Sequence, residues 1–133
     1  MTDQLGFTVQ LKTDFATAIQ RVTDALKAEG FGVLTEIDVK ETLKKKIDVD
    51  FRPYKILGAC NPTLSHRALT AAPEVGLLLP CNVTVSQEGE GVIAVSIVDP
   101  IAMLGVVKHP ELESVASEAR TTLERVAASL QNN

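Results

Sequence analysis

The chain has 133 residues and a net charge of −4, with 45% hydrophobic, 23% charged and only 4% aromatic residues. This length and composition predict one folded domain over residues 1–133 and argue against a disordered protein. The acidic balance and the scarcity of rings argue against a nucleic-acid partner, because such partners require positive charge opposite phosphates and rings on which bases stack.

The N-terminal segment and the hydropathy of the chain predict where the protein works. The segment MTDQLGFTVQ has neither a basic start nor an apolar core, so we expect no signal peptide. No apolar run approaches the roughly 20 residues that cross a bilayer, so we expect no membrane partner. The predicted location is therefore the cytoplasm, where reducing conditions disfavour a structural disulfide.

Hydrophobic periodicity predicts alternating strands and helices along the chain. In chain order, strands are predicted over residues 5–12, 32–37, 54–60, 76–87 and 92–98, and helices over residues 15–29, 39–46, 62–72 and from 110 onward. Three helix starts carry a capping residue whose side-chain oxygen accepts from a free backbone N–H: Thr13 or Asp14, then Asp38, then Asn61. The pattern over residues 101–105 predicts no definite element, and the lysines at 44–46 are interpreted as a solvated helix end.

The strand patterns also predict which side chains face the core. In the third strand we expect Lys55 to face solvent, which places the residues of the other parity on the inner face: Tyr54, Ile56, Gly58 and Cys60. In the fourth strand the predicted inner face comprises Leu77, Leu79, Cys81, Val83 and Val85. Pro80 has no backbone donor, so it predicts a sheet edge or a bulge.

The order of elements predicts an α+β fold. We expect two layers, a mostly antiparallel five-stranded sheet with helices on one face, and short helical inserts between the strands. The outer sheet face is predicted to be more apolar than a solvated face, with Leu34, Leu57, Ala59, Leu78, Pro80, Val92, Ala94 and Val98. Such a patch indicates an interaction surface, so we predict a homodimer through this face; the alternative is that the terminal segments cover it.

The two cysteines are the residues with the most evident chemical potential. Cys60 ends the third strand and Cys81 lies early in the fourth, so antiparallel pairing of these strands would bring the thiols towards each other. Cys60 also precedes a helix N-terminus, which favours a thiolate and with it redox chemistry or soft-metal binding. The other interpretation is that both cysteines pack in the core as small hydrophobic residues.

The asparagines that follow these cysteines complete the candidate site, which consists of Cys60, Asn61, Pro62, Cys81 and Asn82. Asn61 is interpreted as a helix cap with Pro62 at the first helical position. Asn82 is predicted on the sheet face opposite Cys81, where it binds a ligand or satisfies a strand edge.

Recognisable catalytic motifs are missing from the sequence. Neither Ser65 nor Asp99 joins the cysteines in a nucleophile–base set, and there is no P-loop, dinucleotide fingerprint or HExxH. The sequence therefore assigns no reaction, cofactor or metal ligand, and leaves open whether the protein is an enzyme.

Several motifs resemble the domain of unknown function 302 family. They are ILGACNP (residues 56–62), GLLLPCNV (residues 76–83) and Asp99-Pro100, with Ser65 where alanine is expected. The resemblance covers most of the chain, from about Phe7 to the last helix. It implies a TATA-binding-protein-like topology, strand–helix–four strands–helix, together with dimers and no assigned activity.

Three hypotheses follow from the sequence. The leading one is a cytoplasmic, homodimeric module that binds a small ligand or a partner near the candidate site. The alternative is a thiol-based redox or soft-metal-handling protein that uses Cys60 and Cys81. The second alternative is a structural dimer with no small-molecule site.

Overall fold

The structure, a computed structural model, describes residues 5–131. Over these residues the strands are β1 (Gly6–Lys12), β2 (Gly32–Asp38), β3 (Tyr54–Cys60), β4 (Cys81–Gly89) and β5 (Val92–Val98). The helices are α1 (Phe15–Ala28), α2 (Val39–Ile47), α3 (Pro62–Ala71), α4 (Pro100–Leu104) and α5 (Pro110–Gln131), with a 3₁₀ segment over Pro73–Leu78. The boundaries of β3 and β5 are those predicted from the sequence.

The helices begin at the predicted capping residues. The carboxylate of Asp14 accepts a hydrogen bond from the Thr17 amide, and Asp38 accepts one from Glu41. The amide oxygen of Asn61 accepts from the backbone N–H of Leu64. Each cap satisfies a donor that the first helical turn leaves free, so these boundaries are set locally.

The five strands form one antiparallel sheet in the order β1-β5-β4-β3-β2. One face of this sheet packs against α1 and α5 in the main core, which includes Val22 and Leu26 of α1 and Leu123 and Val126 of α5. The predicted α+β architecture, with the helices on one side of a mostly antiparallel sheet, is therefore confirmed. Among the helices of residues 5–131, none is long and apolar enough to span a membrane.

The prediction for the inner face of β3 was wrong. Leu57 and Ala59 are buried in the main core, opposite Val83 and Cys81 of β4, so Ile56 and Gly58 face the other way. Lys55 shares the inner face, where it forms a 2.6 Å ion pair with Glu36. A lysine at this position was therefore a poor indicator of the outer face.

The prediction for the start of β4 was also wrong. Residues 76–78 belong to the 3₁₀ segment, where the Leu77 side chain is 88% exposed and takes no part in the sheet. The ladder begins at Cys81 because Pro80, which follows a cis peptide bond, has no N–H to donate. Leu57, Ala59 and Leu78 therefore drop out of the predicted outer face.

A second apolar cluster lies beside the main core. It joins α3, the 3₁₀ segment, α4 and the first half of α5 through Ala68, Val75, Leu104 and Leu112. The undecided residues 101–105 thus form most of α4, capped by Asp99, whose carboxylate accepts from the Ile101 amide. The ion pair of Arg67 with Glu111 ties α3 to α5 at 2.9 Å on the surface of this cluster.

Candidate functional site

Cys60, Asn61 and Pro62 lie where β3 turns into α3. The Cys60 thiol is half-buried and lies 3.0 Å from the Ser65 hydroxyl, one turn into the helix. The Asn61 side chain is engaged as the helix cap, and exposed Pro62 occupies the first helical position. Asn61 and Pro62 thus start α3, as predicted, and the Cys60 thiol contacts Ser65 of the same helix.

Cys81 lies on the helix-covered face of β4. Burial raises the pKa of its thiol from 9.0 to about 11, since the low-dielectric core disfavours the charged thiolate. The protonated thiol packs with Leu57, Ala59 and Val83 in the main core. Its environment is that of a small hydrophobic residue rather than that of a nucleophile.

The sheet register keeps the two cysteines from forming the predicted pair. Ala59, not Cys60, lies opposite Cys81, and adjacent residues of a strand point to opposite faces. Both cysteines are free. Within the described part of the chain, no three His, Cys, Asp or Glu side chains come together in a way that could hold a metal ion.

A small cavity lies between the sheet and α3, α4 and α5, and it is lined by Asn61, Ser65 and Cys81 among other residues. Its volume is about 20 Å³, which is room for about one water molecule. A ligand of several heavy atoms cannot enter it without movement of the surrounding helices. Part of the predicted site is therefore closed on this side of the sheet.

The outer face of the sheet is largely open, except where Pro80 and Thr35 lie over Gly58, and its centre carries no charge. The described side chains that point outward from the middle of the strands are Thr8, Gln10, Thr35, Ile37, Tyr54, Ile56, Asn82, Thr84, Ser86, Ala94, Ser96 and Val98. The charged Lys12 and Glu88 lie at one end, beside the β4–β5 turn. A face whose centre lacks charge is notable in a chain in which 23% of residues are charged.

Asn82 lines a depression of about 300 Å³ on this outer face. The depression extends over four strands and is lined by Leu5, Gly6, Thr8, Tyr54, Asn82, Thr84, Ser96, Ile97 and Val98. The hydroxyls of Thr8 and Ser96 lie 2.9 Å apart and bond to each other. Sequence reasoning found only Asn82, because the other polar residues come from strands whose register was unknown.

A larger hollow of about 760 Å³ lies between α2 and the segment that follows it. It is lined by charges of both signs, and Lys44 is already paired with Asp48 at 2.9 Å and with Asp50 at 3.2 Å. The lining holds as many carboxylates as lysines, namely Asp38, Glu41 and Asp50 against Lys40, Lys44 and Lys45. This hollow therefore lacks the concentrated charge that an anion site needs.

Similarity to known proteins places the chain in a family. The family model described as a domain of unknown function, DUF302, matches residues 7–130. The chain belongs to the DUF302 family. The crystal structure of an uncharacterized conserved DUF302 protein from Bacillus stearothermophilus is 35% identical to this chain, with a TM-score of 0.82 over 95% of both chains. The search of curated proteins found no match.

Proposed function

We propose that this DUF302 protein is a binding domain that acts as a homodimer, with the outer sheet faces of two copies packed against each other. The observation that carries the proposal is a largely open five-stranded face whose central side chains are uncharged. Interfaces between proteins are distinguished by depletion of charge at their centre, with charges kept to the rim. Lys12 and Glu88, at one end of the face, fit this pattern.

The absence of charge from the centre of the described outer face favours a second copy as the occupant. In a twofold dimer the same surface patch meets itself, so a charge near the twofold axis would approach its own copy. Like charges in contact oppose association, whereas the hydroxyl, amide and aliphatic groups of this face do not.

The size of the face sets the expected strength of the dimer. Five strands about 4.8 Å apart and seven residues long at about 3.3 Å per residue give a face of roughly 500 Å² per copy. Two such faces bury on the order of 1,000 Å², which is at the lower limit for a specific interface. We therefore expect a dimer that dissociates on dilution rather than an obligate one.

The placement of the cysteines favours a binding role over thiol chemistry. Cys81 is buried, and burial raises the pKa of its thiol. Cys60 is not paired with Cys81 in the sheet, because Ala59 lies opposite Cys81. Two free thiols that are buried or half-buried agree with the reducing cytoplasm, which is the location that the proposal includes. The 300 Å³ depression favours a binding domain over a dimer that is purely structural.

Sedimentation velocity over a range of protein concentrations tests the proposal. We expect a concentration-dependent dimer for the wild type and a monomer for Thr84→Arg and Ala94→Arg, which place a charge at the centre of the outer face. The matched control is Thr121→Arg, which adds the same charge on the exposed side of α5 and should leave the dimer intact. A wild type that stays monomeric at high micromolar concentration, or a Thr84→Arg dimer, contradicts the proposal.

A further inference from the structure

We propose that the depression on the outer sheet face binds an uncharged, planar molecule that carries an amide or lactam group. This inference rests on the proposed function, because it names the ligand class of that binding domain. The site is built from residues of β1, β3, β4 and β5, including Asn82 and Thr84 of β4. None of its lining residues belongs to the cavity beside Cys81.

Unpaired hydrogen-bonding groups are the first argument for a ligand. Among residues 5–131, the Asn82 amide, the Thr84 hydroxyl and the Tyr54 hydroxyl have no hydrogen-bond partner in the protein, whereas Thr8 and Ser96 satisfy each other. A second copy that covers this face would take the three free groups out of water. Groups buried in this way need new partners, because an unsatisfied donor or acceptor is strongly unfavourable.

The shape of the depression is the second argument. The depression has a volume of about 300 Å³, and a second copy that met the face at the rim of the depression would enclose it. It has room for roughly ten water molecules or for one small ring compound, and it lies at the lower end of the size range of ligand pockets. In such a dimer the enclosed space would be filled by molecules with hydrogen-bonding capacity, either water or a ligand.

The lining determines the chemical class of the ligand. Every residue that lines the depression is uncharged, so an ionic ligand would lose its hydration without gaining a counter-charge. The Asn82 side chain presents an acceptor and a donor side by side, which is the complement of an amide or lactam edge. Leu5 and Val98 offer apolar contact, and the ring of Tyr54 offers a flat surface on which a planar molecule can stack.

Nuclear magnetic resonance of the ¹⁵N-labelled full chain tests this inference with two probes of the same ring system. Nicotinamide carries the uncharged amide, and nicotinate carries a carboxylate in its place. We expect nicotinamide to shift the backbone signals of Asn82, Thr84 and Ser96 in a saturable manner, and nicotinate to bind about tenfold more weakly or not at all. Asn82→Leu should abolish the response while the signals of α5 remain unchanged.

Several outcomes overturn the inference. Equal chemical-shift changes with both probes, changes confined to other parts of the chain, or full retention of nicotinamide binding in Asn82→Leu would each overturn it. No shift with nicotinamide would also overturn it, because the depression would then hold only water. Sedimentation of the same samples separates this failure from that of the dimer. A dimer without probe shifts refutes the ligand site alone, and probe shifts in a monomer refute the dimer alone.

Discussion

Replacing the neighbouring residues Ile56 and Leu57 by alanine, one at a time, tests which face of β3 belongs to the core. The two residues are adjacent, aliphatic and equal in size, but only Leu57 is fully buried, with 0% of its surface exposed. Ile56 is half-buried on the outer face, opposite Ile37 and Thr84 of the neighbouring strands. The pair therefore differs mainly in the direction of the side chain.

The expected effects on the free energy of unfolding differ severalfold. Leu57→Ala removes side-chain burial and leaves a cavity among Val83, Val85 and Ala59, which corresponds to a loss of about 3–5 kcal/mol. Ile56→Ala loses only part of the transfer free energy of a half-exposed side chain, about 1 kcal/mol. With a urea m-value of about 1–3 kcal/mol/M, the midpoints of the two variants should be separated by on the order of 1–2 M.

Urea denaturation followed by circular dichroism measures both variants at a dilution where the wild type is monomeric. If Leu57→Ala does not fold, Leu57→Val is compared with Ile56→Val, with an expected loss of about 1 kcal/mol at the buried position and a fraction of that at half-buried Ile56. At high protein concentration Ile56→Ala should also weaken the proposed dimer, which Leu57→Val should not do. An Ile56→Ala variant that loses more unfolding free energy than Leu57→Ala would refute the assignment of the faces.

Three further predictions concern the ends of β3 and β4. Asn61→Ala should lose about 1 kcal/mol of stability in thermal unfolding, and Asn61→Asp should lose much less. Only the alanine variant leaves the Leu64 backbone N–H without an acceptor at the start of α3. Equal losses in the two variants would contradict the capping role of Asn61. In thiol titration of the native protein at mildly alkaline pH, Cys60 should react first and Cys81 only on unfolding. The Cys60→Ser variant should therefore show no fast-reacting thiol. Two thiols that react at equal rates would disprove the burial of Cys81. The folded protein holds the Cys81 proton up to a pKa of about 11, whereas the unfolded chain releases it near 9.0, so stability should fall by about 1–3 kcal/mol between these pH values. Cys81→Ala should lack this part of the fall in urea titrations, and identical pH profiles would show that the thiol does not contribute.

The local features of this protein were predictable from the sequence because their causes lie within a few residues. Asp14, Asp38 and Asn61 each accept a hydrogen bond from the residue three positions later, so the helix starts depend on short-range geometry. The stripe of apolar residues on α5 is buried as its helical spacing predicts. Local contacts of this kind require no knowledge of the sheet.

The faces of β3 and the composition of the candidate site were decided by the tertiary structure. Each of the two alternating sets of side chains in β3 contains apolar residues, so the sequence of β3 alone does not show which set faces the core. Pairing with Cys81 and Val83 of β4 shows that Ala59 and Leu57 face the helices. The same register separates Cys60 from Cys81. Strand order then brings Thr8 of β1 and Ser96 of β5 together, 88 residues apart in the chain.

What the sequence by itself determined is the α+β class, the positions of most helices and strands, and an acidic, aromatic-poor composition. Only the tertiary structure decided which side chains share a face. Alternation divides the side chains of a strand into two sets, but pairing with a neighbouring strand is needed to show which set faces the core. The candidate site therefore changed from a pair of cysteines at the strand ends to the depression on the outer face that Asn82 lines.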